Sequence, residues 1–434
     1  MLLSFSVANF LSFYERQTLE LFPDSLKDHP EHLHIPYLFD INTRLLKSVA
    51  IYGHNSSGKS NLLKAYKFFQ DFVFTSFSFG KSEEIILIDN FKLIENAHNE
   101  PSTFEVVFLI REIKYRYGYT LTKERITSEW LYYSESKIRE NYLFHRVGQE
   151  IKISRNWNKE NNNKIDQAFR FTKKHQLLLS VLLFQDSIVR IDEIGKWLKS
   201  NIVIQDINDD EHLKKAILFL SHPQYRATIN KFIEKADFGF ETIEEKIDGL
   251  TRNKLVSEKH FLNFLFAHEI QSFELYSKHN IYNKEKSRVV DVIKFELLKS
   301  ESSGTIKYLI LSAFLAYAIK EGLLIFIDEL DSKFHPLLVQ LLVKVYNSNL
   351  NTLGSQMIFT THSQILLTNK TLRRDQFATI SKNGIGESTL SKMHSPNNPL
   401  RIDTLLDKEF LNGDRGGASK KLTTDNLNRN TLFD

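Results

Sequence analysis

Eight residues, Gly53-His-Asn-Ser-Ser-Gly-Lys-Ser60, limit what this chain can fold into more than any other feature. They fit GxxxxGK[ST] at every fixed position. Glycines let the backbone turn sharply, so that successive N–H groups point inward at an anion. The spacing then demands a strand before the loop and a helix after it. Both are legible. Leu46–Tyr52 is short and apolar, and residues 61–73 carry apolar side chains at helical spacing. In this reading Gly53, His54, Asn55, Ser56, Ser57, Gly58, Lys59, Ser60 and Asn61 form a phosphate cradle. Lys59 reaches the β- and γ-phosphates, and the Ser60 hydroxyl ligates Mg²⁺. A Gly/Ser loop with a coincidental lysine is the plainer alternative, and only other motifs can decide against it.

The second motif is Leu323-Leu-Ile-Phe-Ile-Asp-Glu329, five apolar residues ending in two acids. A strand apolar on both faces reads as central and parallel. Open α/β sheets place ligands at the carboxyl ends of such strands. Asp328 is thus expected to hold Mg²⁺ and Glu329 to polarise an attacking water. A third apolar strand, Gln356–Phe359, runs into Thr360-Thr-His-Ser363, which puts His362 where it can meet a γ-phosphate or that water. Alone, each would pass for a helix cap or a structural histidine. Three such strands in this order point to ATP as substrate and Mg²⁺ as cofactor.

With these residues in place the chain resembles the ABC-type ATPases, whose signature loop lies between the phosphate loop and the paired acids. Glu301-Ser-Ser-Gly-Thr305 stands before an apolar helix at that family's distance from the acids. Its wording differs from the transporter LSGGQ and is similar to the ESSGT form of a bacterial branch of OLD/RecF-like AAA ATPases. The resemblance implies that Ser302, Ser303 and Gly304 face a γ-phosphate bound by another protomer. Asp328-Glu-Leu-Asp-Ser-Lys-Phe-His-Pro336 matches that branch's DE[LI]DxxxHP, which makes Asp331 the D-loop residue and puts Pro336 at a helix start. Further matches are NFLSF (Asn9–Phe13), SEWLYY (Ser128–Tyr133), LLLSVL (Leu177–Leu182) and LRRDQ (Leu372–Gln376). The likeness runs to about residue 412 and is specific in the nucleotide motifs. A Q-loop glutamine is not assignable. Within the branch the chain is similar to ATPases paired with a separate nuclease in phage defence, such as the PARIS and RloA groups.

The expected fold class is α/β: an ABC-type P-loop head with a mixed central sheet, an N-terminal antiparallel β subdomain and a mainly helical insertion. The expected organisation is an N-terminal lobe over 1–150, a helical insertion over 151–294, a C-terminal lobe over 295–412 and a polar tail over 413–434. Leu2–Leu21 suggests a hairpin, and FEVVFLI and KYRYGYTL flank a turn. The Asn-rich stretch 156–164 reads as an exposed loop. The insertion has neither the sustained heptads nor the zinc hook of SMC-like relatives. The segment after His362 is too short for a TOPRIM nuclease, and Asp375, Asp403, Asp407 and Asp414 are scattered and read as surface residues rather than a nuclease cluster.

Composition excludes more than it assigns. The chain has no cysteine, so disulfides, thiolate zinc sites and a cysteine nucleophile are ruled out, which suits a reducing cytoplasm. Net charge is +4, with 57 basic and 53 acidic residues, so any nucleic-acid surface would be local. Lys173-Lys174 and Arg373-Arg374 are the basic pairs to watch. The N-terminus shows no signal-peptide pattern. The apolar run Tyr308–Ile327, broken by Lys320, Glu321 and Gly322, reads as a buried helix and strand rather than a membrane span. Three functions remain: an ATP switch that forms a homodimer or larger homo-oligomer and controls a separate effector, such as a TOPRIM-like nuclease; a RecF-like ATPase that clamps DNA; and a transporter subunit. The insertion, the altered signature and the absence of a membrane span count against the third.

Overall fold

In a computed structural model the described residues are 1–36, 43–79, 85–135, 139–185, 187–206, 210–247, 273–368 and 371–394. Asp403, Asp407, Asp414 and the tail 413–434 lie outside them, as do residues 186, 207–209 and 248–272 of the expected helical insertion. The chain divides into two compact units. The first comprises Met1–Val203, Leu324–Glu329 and the chain from Gln356 onward; the second comprises Ile204–Leu323 and Leu330–Ser355.

The first unit holds two principal sheets. Its strands in chain order are β1 (Leu2–Ala8), β2 (Gln17–Glu20), β3 (Leu33–His34), β4 (Leu45–Leu46), β5 (Ser48–Tyr52), β6 (Ser102–Ile110), β7 (Ile113–Leu121), β8 (Ile126–Ser134), β9 (Asn141–Val147), β10 (Glu150–Ile153) and β11 (Ile202–Ile204). Three more that follow β11 belong to the second unit: β12 (Thr242–Ile247), β13 (Phe273–Tyr282) and β14 (Val289–Glu296). The first unit resumes with β15 (Leu324–Ile327), β16 (Gln356–Thr360), β17 (Phe377–Lys382) and β18 (Ser388–Lys392). Seven strands form an antiparallel sheet in the order β10-β9-β8-β7-β6-β1-β2. The hairpins read at 2–21 and 104–121 are both there, as β1–β2 and β6–β7.

Six strands form the mixed sheet, in the order β11-β15-β16-β5-β17-β18. β16 pairs in parallel with β5 and with β15, so the three carboxyl ends share one edge. β5, β15 and β16 are buried at every position, as strands covered on both faces must be. The helix Lys59–Thr75 that leaves β5 packs its aromatic face on the antiparallel sheet. Phe69 stacks on Tyr119 at 5.6 Å, Phe5 meets Tyr66 edge-on at 5.1 Å, and Tyr66 stacks on Phe326 at 4.2 Å. These rings are fully buried, or nearly so, and each contributes about 1.5–3 kcal/mol by burial. Buried aromatic rings thus hold the helix that carries the phosphate loop.

Helices at Arg155–Glu160, Lys164–Phe171, Leu178–Leu182 and Ile191–Ser200 all belong to the first unit, although the sequence placed them in a separate insertion. The first is a correction in itself. The Asn-rich stretch holds a helical turn whose Trp157 is buried and donates its indole N–H to Val189 O at 3.0 Å. One large apolar ring outweighs the polar neighbours. In the second unit, helices Asp210–Ser221 and Pro223–Ala236 pack on helix Ser303–Glu321, and β12, β13 and β14 form an antiparallel sheet. That sheet corrects the mainly helical reading of the insertion, because 273–296 forms two long strands paired antiparallel.

Two of the matched motifs meet inside the first unit. Glu129 of SEWLYY is fully buried and accepts the N–H groups of Leu178 at 2.7 Å and Leu179 at 3.0 Å, from LLLSVL. It also accepts the Tyr117 hydroxyl at 3.0 Å, and the buried Arg146 guanidinium lies 3.8 Å away. Burial pushes the Glu129 carboxyl above its ordinary range, against the pull of Arg146 and these donors. Replacing Glu129 by Ala strands a buried guanidinium and three donors. Glu129→Ala is expected to destabilise this unit by about 3–5 kcal/mol, seen as a lower midpoint in urea unfolding. A change below about 0.5 kcal/mol would show that the cluster is not the brace described.

Candidate functional site

The phosphate loop leaves β5 and enters the helix Lys59–Thr75. Gly58 is its N-cap with φ +108°, in the left-handed region that favours glycine. A side chain there would be obstructed as well as strained. A Cβ at Gly58 would lie 2.6 Å from Ser12 Oγ, and one at Gly53 would lie 2.5 Å from Ser57 Oγ. Ser56 also has positive φ, at 64°. Lys59 is buried, and its ammonium donates to Gly53 O at 2.8 Å and His54 O at 3.1 Å. Ser57 Oγ is buried without a hydrogen-bond partner. His54, Gly58, Ser60 and Asn61 are half-buried, and Asn55 and Ser56 are exposed.

Two serines outside the motif fasten this loop. Ser388, the first residue of β18, donates its hydroxyl to Ser57 O at 2.6 Å, which leaves its oxygen to pair with the Ser12 hydroxyl at 2.8 Å. Asn61 Nδ2 donates to the same Ser12 Oγ at 2.8 Å. Ser12 belongs to NFLSF, where Asn9 (φ 48°) and Leu11 (φ 50°) take left-handed conformations. Asn9 donates to Ala97 O and Glu100 O, both at 2.8 Å, and accepts from Phe91 N at 3.1 Å. The motif is thus a clamp that carries a serine to the back of the phosphate loop. Nothing in the spacing of Ser388 could have announced its part.

Asp328 and Glu329 follow directly on β15, Asp328 half-buried and Glu329 exposed. Thr360, the last residue of β16, joins them. Its hydroxyl donates to Asp328 Oδ1 at 2.5 Å and accepts from Glu329 N at 2.7 Å. Glu329 has φ 48°, a strained conformation of the kind found where function holds it. Beyond Thr360, Thr361 N donates to Ile51 O at 3.1 Å, and Tyr52 Oη donates to Ser363 O at 2.8 Å. These bonds lash the turn bearing the exposed His362 to the strand that feeds the phosphate loop. Thr360 and Tyr52 are functional neighbours that motif reading passed over. Thr360 stood inside the quoted motif, and its place at a strand end beside two acids was the available signal.

The remaining candidates lie in the second unit. Ser302 caps the helix Ser303–Glu321 by accepting Thr305 N at 3.1 Å, and Ser302 and Ser303 are both exposed. Gly304 stands against the chain that carries Asp331: a Cβ on it would lie 2.8 Å from Lys333 O. Pro336 opens the helix Pro336–Asn347 behind a His335 cap, as read. The helix ending at Glu321 is capped by Gly322 at φ 68°, before β15 begins. No helix among the described residues is long and apolar enough to cross a membrane.

The residues fit a magnesium nucleotide. A buried ammonium donates to two backbone carbonyls of the loop, a buried hydroxyl is unpartnered, and the glycine cradle rejects a Cβ. Lys59 would hold the terminal phosphates, and Ser60 and Asp328 would hold the ion. When bound, Mg²⁺ neutralises charge on the transferring phosphoryl oxygens.

A family model described as "AAA domain, putative AbiEii toxin, Type IV TA system" matches residues 48–368. No curated protein gives a significant match. Similar solved structures include the SMC head domain from Thermotoga maritima, at 15% identity over 91% of this chain and 99% of that one, with a TM-score of 0.41. Another is an SMC head bound to the C-terminal winged-helix domain of ScpA, at 11% identity over 91% and 98%, with a TM-score of 0.43. A third is the Smc head with an extended coiled coil bound to the ScpA C-terminal domain, from Pyrococcus furiosus, at 13% identity over 90% and 95%, with a TM-score of 0.41. The described architecture is α/β as expected, with a mixed six-stranded sheet and an N-terminal antiparallel sheet. The family match spans the sheet edge and the helix that carry every candidate residue, and this chain belongs to that AAA domain family.

Proposed function

We propose that this protein is an ATP-hydrolysing switch that dimerises around ATP and controls a separate effector in bacterial phage defence. The observation that carries the reading is the shared edge of β5, β16 and β15, where the phosphate loop, His362 and the acids Asp328 and Glu329 all emerge. There Lys59 binds the β/γ-phosphates, Glu329 polarises water, and His362 contacts the γ-phosphate. The exposed Ser302 and Ser303 and the half-buried Gly304 at a helix N-terminus, together with Asp331, serve the nucleotide of a second protomer. The family's description names a toxin–antitoxin system, which supports a paired partner. The resemblance to the PARIS and RloA groups makes that partner a TOPRIM-like or other nuclease. Co-expression with the neighbouring gene, followed by pull-down in each nucleotide state, tests this. A chain that acts fully alone and retains no partner sinks the effector reading and favours a DNA clamp.

Three variants test the machinery. Lys59→Ala is expected to abolish ATP binding. Glu329→Gln is expected to bind ATP normally yet turn over at least about 100-fold slower; wild-type turnover would remove Glu329 from its role. Thr360→Val keeps the strand but removes the hydroxyl between the acids, and turnover is expected to fall about 10- to 100-fold with little loss of thermal stability. An unchanged rate would show that the acids need no such anchor. For association, Gly304→Asp is a poor probe, because its Cβ meets Lys333 O. Ser302→Asp keeps a good helix cap while adding a carboxylate where phosphate is expected. In a Glu329→Gln background with ATP, sedimentation should give a dimer that Ser302→Asp reduces to monomer. Dimerisation indifferent to Ser302→Asp contradicts the signature assignment.

A further inference from the structure

Away from the phosphate edge, the segment His29-Pro-Glu-His32 gathers three donors of the kind that bind metals. His29 Nδ1 lies 3.1 Å and His32 Nε2 3.6 Å from the same Glu31 Oε1, and the ligand atoms of the trio lie within 4.8 Å of one another. The two imidazoles stack at 4.6 Å. His29 and Glu31 are half-buried and face solvent in part, whereas His32 is only 6% exposed.

The buried network fixes the proton on His32. Gln376 Nε2 donates to Ser48 O at 3.0 Å and Ser48 Oγ at 2.9 Å, so the amide oxygen faces the other way. That oxygen accepts Arg373 N and lies 2.9 Å from His32 Nδ1, both as an acceptor, so Nδ1 carries the hydrogen. The lone pair of His32 is therefore on Nε2 and faces the Glu31 carboxylate. Two acceptors at 3.6 Å repel unless positive charge lies between them. Ligands bonded at about 2.0–2.2 Å to a tetrahedral ion stand roughly 3.3–3.6 Å apart, and one nitrogen held by an outer amide is the usual support for a metal-bound histidine.

We propose that His29, Glu31 and His32 form a site for a divalent first-row transition metal, Zn²⁺ foremost, with Gln376 orienting His32. Gln376 also holds Ser48, the first residue of β5, at the end opposite the phosphate loop. The site is a staple that ties segment 29–34 to the start of the central parallel sheet, and its chemistry is structural.

The test uses the full chain, stripped by chelator and free of nucleotide, titrated with Zn²⁺ by calorimetry and with Co²⁺ by visible absorption. The expected result is one tight site, a tetrahedral Co²⁺ spectrum and a melting temperature that rises with Zn²⁺. Glu31→Gln and the solvent-facing His29→Ala should each weaken binding about 100-fold or more and lose the Zn²⁺-dependent rise, while the metal-free melting temperature stays unchanged. Gln376→Ala should weaken it less. Equal Zn²⁺ binding by wild type, Glu31→Gln and His29→Ala overturns the proposal, as does a wild-type chain that binds no Zn²⁺. In that second case neighbouring side-chain cations suffice for Glu31.

Discussion

Parallel pairing of β16 with β5 on one side and β15 on the other is the constraint from which the rest of the head follows. Register aligns Ile51 with Thr360 and Phe359 with Ile327, so the strands end together. Everything after those ends falls at one edge: the phosphate loop, the Thr360-His362 turn and the two acids. A parallel trio needs crossovers, and the chain supplies them as separate segments of very different length. The phosphate strand and the acid strand are not neighbours. β16 separates them, and its terminal threonine is the group that bonds the acids.

Around this edge the matched motifs act as contacts rather than as isolated words. NFLSF delivers Ser12 to the back of the phosphate loop. SEWLYY and LLLSVL meet through Glu129. LRRDQ folds on itself, with Arg373 Nε donating to Asp375 Oδ1 at 2.9 Å, and then reaches Ser48 through Gln376. Asp375, which composition alone left as a surface acid, is buried in that pair. Each contact joins segments to the first unit's two sheets, so the loop that would meet phosphate is braced from both.

The candidate nucleotide site was legible because the chemistry expected of it imposes residue types at fixed spacing. Gly53–Ser60, Asp328-Glu329 and His362 each followed an apolar strand that periodicity could find. Ser388 and Tyr52 were not legible, since a single hydroxyl carries no spacing. The helix around Trp157 was masked by asparagines, and β13 and β14 by the reading of the insertion as mainly helical. The division of the chain was misjudged for one reason. Residues 155–200 are helical like the insertion, yet they bury their apolar faces in the first unit, and burial partners cannot be read from composition.

The central claim is that a working site takes its phosphate loop from one chain and its signature from another. Mixing Lys59→Ala and Ser302→Asp proteins tests it most directly. Each alone lacks one half of every site. In a mixed dimer, the intact loop of the Ser302→Asp chain faces the intact signature of the Lys59→Ala chain. The account predicts that the mixture recovers part of the wild-type ATPase rate while neither variant alone turns over. A mixture as inactive as its components would contradict it.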